Sequence, residues 1–486
     1  MTTEANSENP KSKIQNPKSD VPAHIFREYD IRGVVDKDLS ENVYYNLGRA
    51  YATFLYAQDG AKPSRGERFR VAAGRDVRLS SERYQKALIR GMLDSGLDVV
   101  NVGEVPTPVL YFSVKFLGTD GGAEVTASHN PAEYNGLKLR KTTGDGLNAP
   151  LNSDNVQELR RIIERGEFHE GQGEYLDRPT QPDYVKYILD TVKVGRPLKV
   201  VIDPGNGATG PTAMEVYKAL GCDVSGIYLE PDGNFPNHLP NPLKEEYVQD
   251  LIAEVKKQGA DVGIGLDGDG DRLGVIADDG SIVWPDMYMI LYSRKALERV
   301  PGGTIIFDVK CSLALPQDIE RHGGKPIMWR TGYTNVFAKR LETGAPFAGE
   351  FSGHIFFDDP IIDFDDGIYA GARLLEALGD GPAPISQRFG DVPRYFNTTE
   401  GRMDVGEEVK FELIKRLRER FEREYPVITT DGARVVFPTG WALVRASNTE
   451  PSITYRFEST ESQEDLERII VVVRQALNDL GINPNF

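Results

Sequence analysis

The sequence predicts an α/β protein of several domains, three of them similar α/β units and the last a smaller α+β unit. Three observations carry this. The chain has 486 residues, too many for one hydrophobic core. Three well-separated stretches repeat one layout: an apolar strand, a Gly-bearing turn, an amphipathic helix, a glycine stop and a second strand. Beyond residue 394 the layout changes to alternating strand-like segments followed by one amphipathic helix.

Residues 1–22 are polar, lack the apolar core of a signal peptide, and read as a disordered leader. The first repeat, Phe69–Gly103, runs RVAAGRD, SSERYQKALIRGMLDSG and LDVVNVG. In its helix Tyr84, Ala87, Leu88, Gly91 and Met92 fall at the spacing of one buried face, and Gly96 suits a C′ position. The second repeat is Leu198–Glu230 and the third Gly303–Gly332, so consecutive repeats are separated by a domain's length. Domains are expected over 23–180, 181–285, 286–393 and 394–486. In the last, RVVFPTGWALVRASNTEPSITYRFEST supplies strands and SQEDLERIIVVVRQALNDLG a helix.

Hydrophobic content of 40% and charged content of 27% are those of a soluble globular chain, and no apolar run approaches the roughly 18 residues of a membrane span. The two cysteines, Cys222 and Cys311, make neither a disulfide framework nor a metal set, which favours a reducing cytoplasm. A net charge of −17 argues against a nucleic-acid partner. It argues equally that any phosphate must be held by local arginines and backbone amides.

Two motifs point to phosphoryl transfer. In Glu124-Val-Thr-Ala-Ser128-His129-Asn-Pro131 a serine follows an apolar approach and is flanked by an imidazole, an amide and a proline, so Ser128 is a candidate nucleophile or phosphate carrier. In Asp267-Gly-Asp269-Gly-Asp271-Arg272 three carboxylates crowd into five residues. At i, i+2 and i+4 of an extended chain they point the same way, and they repel one another unless a hard cation such as Mg²⁺ sits between them. The bland alternative is a solvated acidic turn. A calcium EF-hand would need Gly and Glu where Arg272 and Asp278 stand. Serine, Mg²⁺ and arginine together make a phosphoryl-transfer set.

Other patterns carry less. Gly205-x-Gly207-x-x-Gly210, with Glu230 twenty residues on, outlines a dinucleotide fingerprint, but Asp203-Pro204 intrudes between strand and glycine. Gly263-x-Gly265-x-x-Gly268 overlaps the aspartates, which would repel a pyrophosphate. Glu350-Phe351-Ser352-Gly353-His354 can hydrogen-bond adjacent sugar hydroxyls; on the residues alone an ordinary Gly-Ser turn is the simpler reading. Arg445-Ala-Ser447-Asn448-Thr449 can grip a phosphate dianion, although an isolated arginine is more ordinarily a surface ion-pair partner.

Taken in order, FREYDIRG (26–33), GRDVRLSS (74–81), PTP (106–108), TASHNP, NGLK (135–138), DPGNGATG, DGDGDR, DVKC (308–311), GEFSGH, FDDGIYAGARLLE (364–376) and RASNTEP resemble the α-D-phosphohexomutase family, in its phosphomannomutase/phosphoglucomutase branch. The resemblance covers nearly everything from Phe26 onward. It implies four domains around a deep central cleft, a phosphorylated Ser128, and Mg²⁺ held by that phosphoserine with Asp267, Asp269 and Asp271. It further implies that Arg272 contacts the phosphoryl region, that Glu350 and Ser352, with His354 nearby, bind sugar hydroxyls, and that Arg445, Ser447, Asn448 and Thr449 hold the non-reacting phosphate. Arg32, His129, Lys138 and Lys310 match further cleft positions, Tyr333 stands at one where the residue departs from the family, and His129 and Lys138 are the expected bases.

The implied reaction interconverts hexose 1-phosphate and 6-phosphate, of mannose or glucose, through a 1,6-bisphosphate, with glucose 1,6-bisphosphate or a similar compound as activator. A mutase acting on glucosamine phosphate is the nearest alternative. A nucleotide-cofactor dehydrogenase and a calcium-stabilised binding protein are the alternatives from other classes. Many relatives carry Met where Phe351 stands, a change expected only to repack its loop, and His where Tyr333 stands, where losing a group that titrates near neutrality is expected to change sugar contact or proton handling.

Overall fold

A computed structural model describes residues 21–58, 62–143, 146–447 and 451–486. The expected leader falls almost wholly outside the described residues. Among the described residues, no helix is long and apolar enough to cross a membrane.

Four sheets organise the described residues. In each of the first three, a central strand is followed by a helix and a parallel strand on one side. A third strand then pairs parallel on the other side, and a fourth folds back antiparallel against the third. In the first sheet these four strands are Arg70–Arg75, Asp98–Glu104, Gly121–Val125 and Tyr134–Thr142. In the second they are Lys199–Asp203, Asp223–Gly226, Val262–Leu266 and Leu273–Ala277. In the third they are Thr304–Asp308, Lys325–Trp329, Phe347–Gly349 and Ile355–Phe357. The strand–helix–strand opening of each is the repeat legible in the sequence. The back-folding fourth strand, which turns the third connection into a hairpin, was not.

Strands Val262–Leu266 and Leu273–Ala277 are buried at every position, as expected where helices cover both faces of a sheet. Helix Ser81–Asp94 buries Tyr84, Ala87, Leu88, Gly91 and Met92 as its spacing predicts, and Gly96 follows it with φ +83°. Gly91 is there because the neighbouring helix Glu41–Tyr56 crosses so closely that a Cβ would lie 2.1 Å from the Tyr45 carbonyl oxygen.

One buried cluster joins Val109, Leu110 and Phe112 of helix Thr107–Leu117 to Ile202 and Ile264 of the second sheet and Phe307 and Phe347 of the third. Burial of that many large side chains, each worth about 1.5–3 kcal/mol, sets the first three units against one another. The C-terminal unit has its own core, in which Leu413, Leu417, Phe457, Ile469 and Val473 fill the space between an antiparallel sheet and two helices, Lys410–Phe421 and Gln463–Asp479. It meets the third unit through Val309, Trp441 and Leu443, where Arg434 lies 3.6 Å over the Trp441 ring.

A candidate active site at the meeting of four loops

The hairpin between third and fourth strands falls at the same place in each repeat. It carries Ser128 in the first, Asp267–Arg272 in the second and Glu350–His354 in the third. The turn between strands Gly440–Ala446 and Ser452–Ser459 of the fourth sheet begins with Ser447, beside Arg445. The four motifs therefore occupy strand ends that converge.

Ser128 is 1% exposed and sits at φ +50°, a left-handed backbone that costs a non-glycine residue about 1–2 kcal/mol. The surroundings hold it there. Its N–H donates to Thr126 Oγ1 at 2.9 Å, and its carbonyl accepts from Arg78 at 2.8 Å. Arg78 is fully buried, ion-paired with Asp76 at 3.0 Å, and also donates to the carbonyls of Asn130, Pro131 and Tyr134. One guanidinium thus clamps the whole serine loop.

The serine hydroxyl donates to Asp267 Oδ2 at 2.8 Å and lies 3.0 Å from His129 Nδ1. Burial, then the charges of Arg272 and Arg32, hold His129 well below the usual imidazole range, so its ring is neutral. Asp267, Asp269 and Asp271 are all buried, with one oxygen of each within 4.8 Å of the others. Asp269 Oδ2 accepts from Thr107 Oγ1 at 2.7 Å, Thr126 Oγ1 at 3.3 Å and Lys138 Nζ at 2.6 Å. Lys138 also pairs with Asp271 Oδ2. Burial would depress the Lys138 ammonium, but Asp269 and Asp271 outweigh it and raise its pKa well above the usual lysine value.

The remaining oxygens, Asp269 Oδ1 and Asp271 Oδ1, are buried with no hydrogen-bond partner. Burial, with Asp271 and Asp269 beside it, pushes Asp267 upward, the mark of carboxylates too close to remain ionised unaided. Three hard oxygen donors, two carrying unsatisfied lone pairs, fit a Mg²⁺ ion. The loop joins two antiparallel strands rather than two helices, so it is not an EF-hand.

The glycines that resemble a dinucleotide fingerprint serve this loop instead. Ala208 N–H donates to the Gly268 carbonyl at 3.0 Å, and a Cβ on Gly207 would lie 2.6 Å from that oxygen. They admit a close backbone contact behind the aspartates.

A cavity of about 760 Å³ opens in front of the serine and aspartates. Eight Lys/Arg and five Asp/Glu side chains line it, so an acidic chain presents a locally basic pocket. Arg32, His129, Lys138, Asp271, Arg272, Lys310, Tyr333, Glu350, Ser352, His354, Arg445 and Ser447 all reach it. Ser128, Asp267 and Asp269 lie just behind that lining. Asn448 and Thr449 lie outside the described residues.

Several partners were not legible as functional residues. Arg32 is held by Asp30 at 2.7 Å and Asn130 at 2.6 Å, Lys310 by Glu400 at 3.0 Å, and Arg445 by Asp431 at 2.9 Å. Burial works against Glu400, yet Lys310 brings its carboxyl down to about 2. His354 Nδ1 lies 2.9 Å from Asp365 Oδ2. Glu350 Oε1 accepts from the Gly332 N–H at 2.6 Å. The Tyr333 ring stacks on His354 with centroids 5.5 Å apart, while its hydroxyl donates to the Tyr29 carbonyl at 3.3 Å. Phe351 turns inward, with the Arg456 guanidinium 3.7 Å from its ring centroid. Asp431 and Glu400 carry no motif signal, because an acid whose job is to aim a cation elsewhere in the chain looks like any surface acid; Asp30 lies within FREYDIRG, two residues from the Arg32 it aims.

Comparison with known proteins gives one consistent result. Family profiles described as phosphoglucomutase/phosphomannomutase match in order: α/β/α domain I at residues 23–170, domain II at 181–280, domain III at 284–395 and the C-terminal domain at 401–476. A phosphomannomutase/phosphoglucomutase of Pseudomonas aeruginosa is 44% identical over 458 residues, covering 94% of this chain and 96% of that one. A phosphoglucomutase of Neisseria gonorrhoeae is 42% identical over 452 residues, 92% of this chain and 95% of that one. The crystal structure of a phosphoglucomutase/phosphomannomutase family protein from Burkholderia thailandensis superimposes with a TM-score of 0.86 at 41% identity, covering 95% and 98% of the two chains.

Proposed function

The chain belongs to the phosphoglucomutase/phosphomannomutase family and is a phosphosugar mutase, and from that premise we propose how its residues interconvert hexose 1-phosphate and hexose 6-phosphate. Ser128 carries the phosphoryl group. It transfers that group to the free C6 or C1 hydroxyl, the 1,6-bisphosphate turns over within the cavity, and the other phosphate returns to Ser128. The observation that carries this reading is the convergence of the Ser128 hydroxyl, the aspartate loop and Arg445 on one basic cavity.

Asp267, Asp269, Asp271 and the Ser128 oxygen would hold Mg²⁺, which supplies positive charge against the transferring phosphoryl oxygens. Arg272, with Nε 3.8 Å from Asp271 Oδ1 and 4.0 Å from Asp267 Oδ2, adds a fixed cation beside the same oxygens. Arg445 and Ser447, with Asn448 and Thr449, grip the phosphate that is not reacting. Glu350 and Ser352 take sugar hydroxyls, and His354 and Tyr333 form one wall, with Arg32 and Lys310 supplying further charge.

Of the two expected bases, His129 suits the sugar hydroxyl's proton: it is neutral, and its Nδ1 lies 3.0 Å from the Ser128 oxygen, to which it can pass that proton as the phosphoryl group leaves. Lys138, held as an ammonium between Asp269 and Asp271, serves better as a cation than as a base. The substrate is a phosphorylated hexose, glucose 1,6-bisphosphate or a similar compound the activator, and the location cytoplasmic, where the buried free thiols of Cys222 and Cys311 stay reduced.

³¹P NMR tests this reading. Protein with Mg²⁺ and a trace of glucose 1,6-bisphosphate is offered mannose, glucose and glucosamine 1-phosphates separately. A 6-phosphate signal growing fastest with mannose or glucose is expected. Fastest conversion of glucosamine 1-phosphate would assign the enzyme to the amino sugar, and no conversion in any tube would overturn the reading.

A further inference from the structure

One backbone turn touches three of the four units. Thr331 follows strand Lys325–Trp329 in the third unit, and its own hydroxyl donates to Asp308 Oδ2 at 3.1 Å. Its carbonyl accepts from the Tyr29 hydroxyl of the first unit at 3.3 Å. Its N–H donates to Asp431 Oδ2 of the fourth unit at 3.0 Å. The adjoining Gly332 N–H donates to Glu350 Oε1 at 2.6 Å.

Asp431 Oδ2 is also the oxygen that accepts from Arg445 Nε at 2.9 Å. One carboxylate oxygen therefore bridges a guanidinium of the fourth unit and a peptide N–H of the third. The turn bearing Asp431 is seated for this: Gly432 has φ +82°, and a Cβ there would lie 2.5 Å from Arg445 Cβ. The chain of contacts runs Arg445, Asp431, Thr331, Gly332, Glu350, from the phosphate end of the cavity to the sugar-binding carboxylate.

We propose that Asp431 is a positioning residue that ties the Arg445 phosphate grip to the Thr331–Gly332 turn, so that grip and sugar carboxylate come into register, and leave it, as a unit. The proposal rests on the mutase reading for its consequence. A bisphosphate turning over in the cavity is retained only while both ends of the cavity stay closed on it. Each molecule lost to solvent carries away both phosphates and leaves Ser128 as a free hydroxyl. Both bonds to Asp431 Oδ2 are charge-assisted: the ion pair with Arg445 sets the guanidinium's orientation, and the Thr331 N–H, one of several donors crossing between the third and fourth units, carries that orientation to the turn.

The test compares wild type with Asp431→Ala and Asp431→Asn, the second keeping an amide oxygen for both donors. For Asp431→Ala, KM for the hexose 1-phosphate and the half-activating concentration of glucose 1,6-bisphosphate are both expected to rise by at least about tenfold, with kcat at saturation falling about threefold or less. Asp431→Asn should fall between. A folded Asp431→Ala enzyme with both constants within about twofold of wild type would overturn the proposal. If the alanine variant does not fold, unchanged constants in Asp431→Asn would overturn it equally. Should wild type convert no hexose phosphate, it is the mutase reading that fails. The linkage itself is then read by hydrogen exchange of ligand-free protein, in which the segments 330–333 and 350–354 must exchange faster in the variants than in wild type.

Discussion

Ser128 Oγ donates to Asp267 Oδ2 across 2.8 Å, joining two residues 139 apart in the chain and on hairpins of two different sheets. That contact unites the proposed phosphoryl carrier with the carboxylate loop. Ser128→Ala is expected to abolish mutase turnover while the protein stays folded, measured as initial rate beside the circular-dichroism melting curve. Ser128→Gly, which suits φ +50°, should be equally inactive and melt no lower than the alanine variant. Wild-type turnover in either would remove Ser128 as carrier.

Asp269 and Asp271 each have one buried oxygen with no hydrogen-bond partner, open to the proposed Mg²⁺. Asp269→Asn and Asp271→Asn should each weaken Mg²⁺ binding by about tenfold or more, read by calorimetric titration of Mg²⁺ into chelator-treated protein. Chelation should silence the wild-type enzyme and added Mg²⁺ restore it. Wild-type Mg²⁺ affinity in both variants would place the ion elsewhere.

Arg445 is buried and held by Asp431, so its loss removes a desolvated charge from where the non-reacting phosphate is proposed to sit. Arg445→Ala should cost about 2–5 kcal/mol of substrate binding, appearing mainly in KM. An unchanged KM and kcat would assign the grip to other residues.

Asp366 supplies the test of pH dependence. It caps helix Gly367–Gly379 through the Tyr369 N–H at 2.8 Å and accepts from Tyr184 at 2.8 Å. Burial dominates, and pushes its carboxyl from the usual 3.8 up to about 7. The folded state thus keeps a proton that the unfolded chain releases. The contribution is full below about pH 4 and is lost as pH rises to about 7, at up to about 1.4 kcal/mol per unit. Asp366→Asn, which can still cap the helix, should remove that slope from urea-denaturation stability measured between pH 4 and 7. A slope equal to wild type would show that Asp366 is ionised throughout.

Much was legible in the chain. The three repeats could be read because strand and helix periods are local, as the buried face of helix Ser81–Asp94 shows. Ser128 and the three aspartates could be singled out because they stand among glycines and polar residues that ordinary elements do not gather, whereas Glu350 and Arg445 were singled out only through the family resemblance. The second strand of each repeat is as far as that reading reached. The back-folding fourth strand, which makes three unrelated-looking loops equivalent, is a matter of pairing rather than of period.

By itself, then, the sequence determined the repeated α/β architecture, the changed C-terminal unit and the chemistry-bearing loops, since each is written in neighbouring residues. Tertiary structure decided how those loops work. It makes Lys138 an ammonium by setting it between Asp269 and Asp271, and keeps His129 neutral beside two arginines. It turns Arg78 into the clamp of the serine loop and Asp431 into the partner of both Arg445 and Thr331. Charge state and aim depend on desolvation and on partners a hundred or more residues away, and these exist only once the sheets have packed.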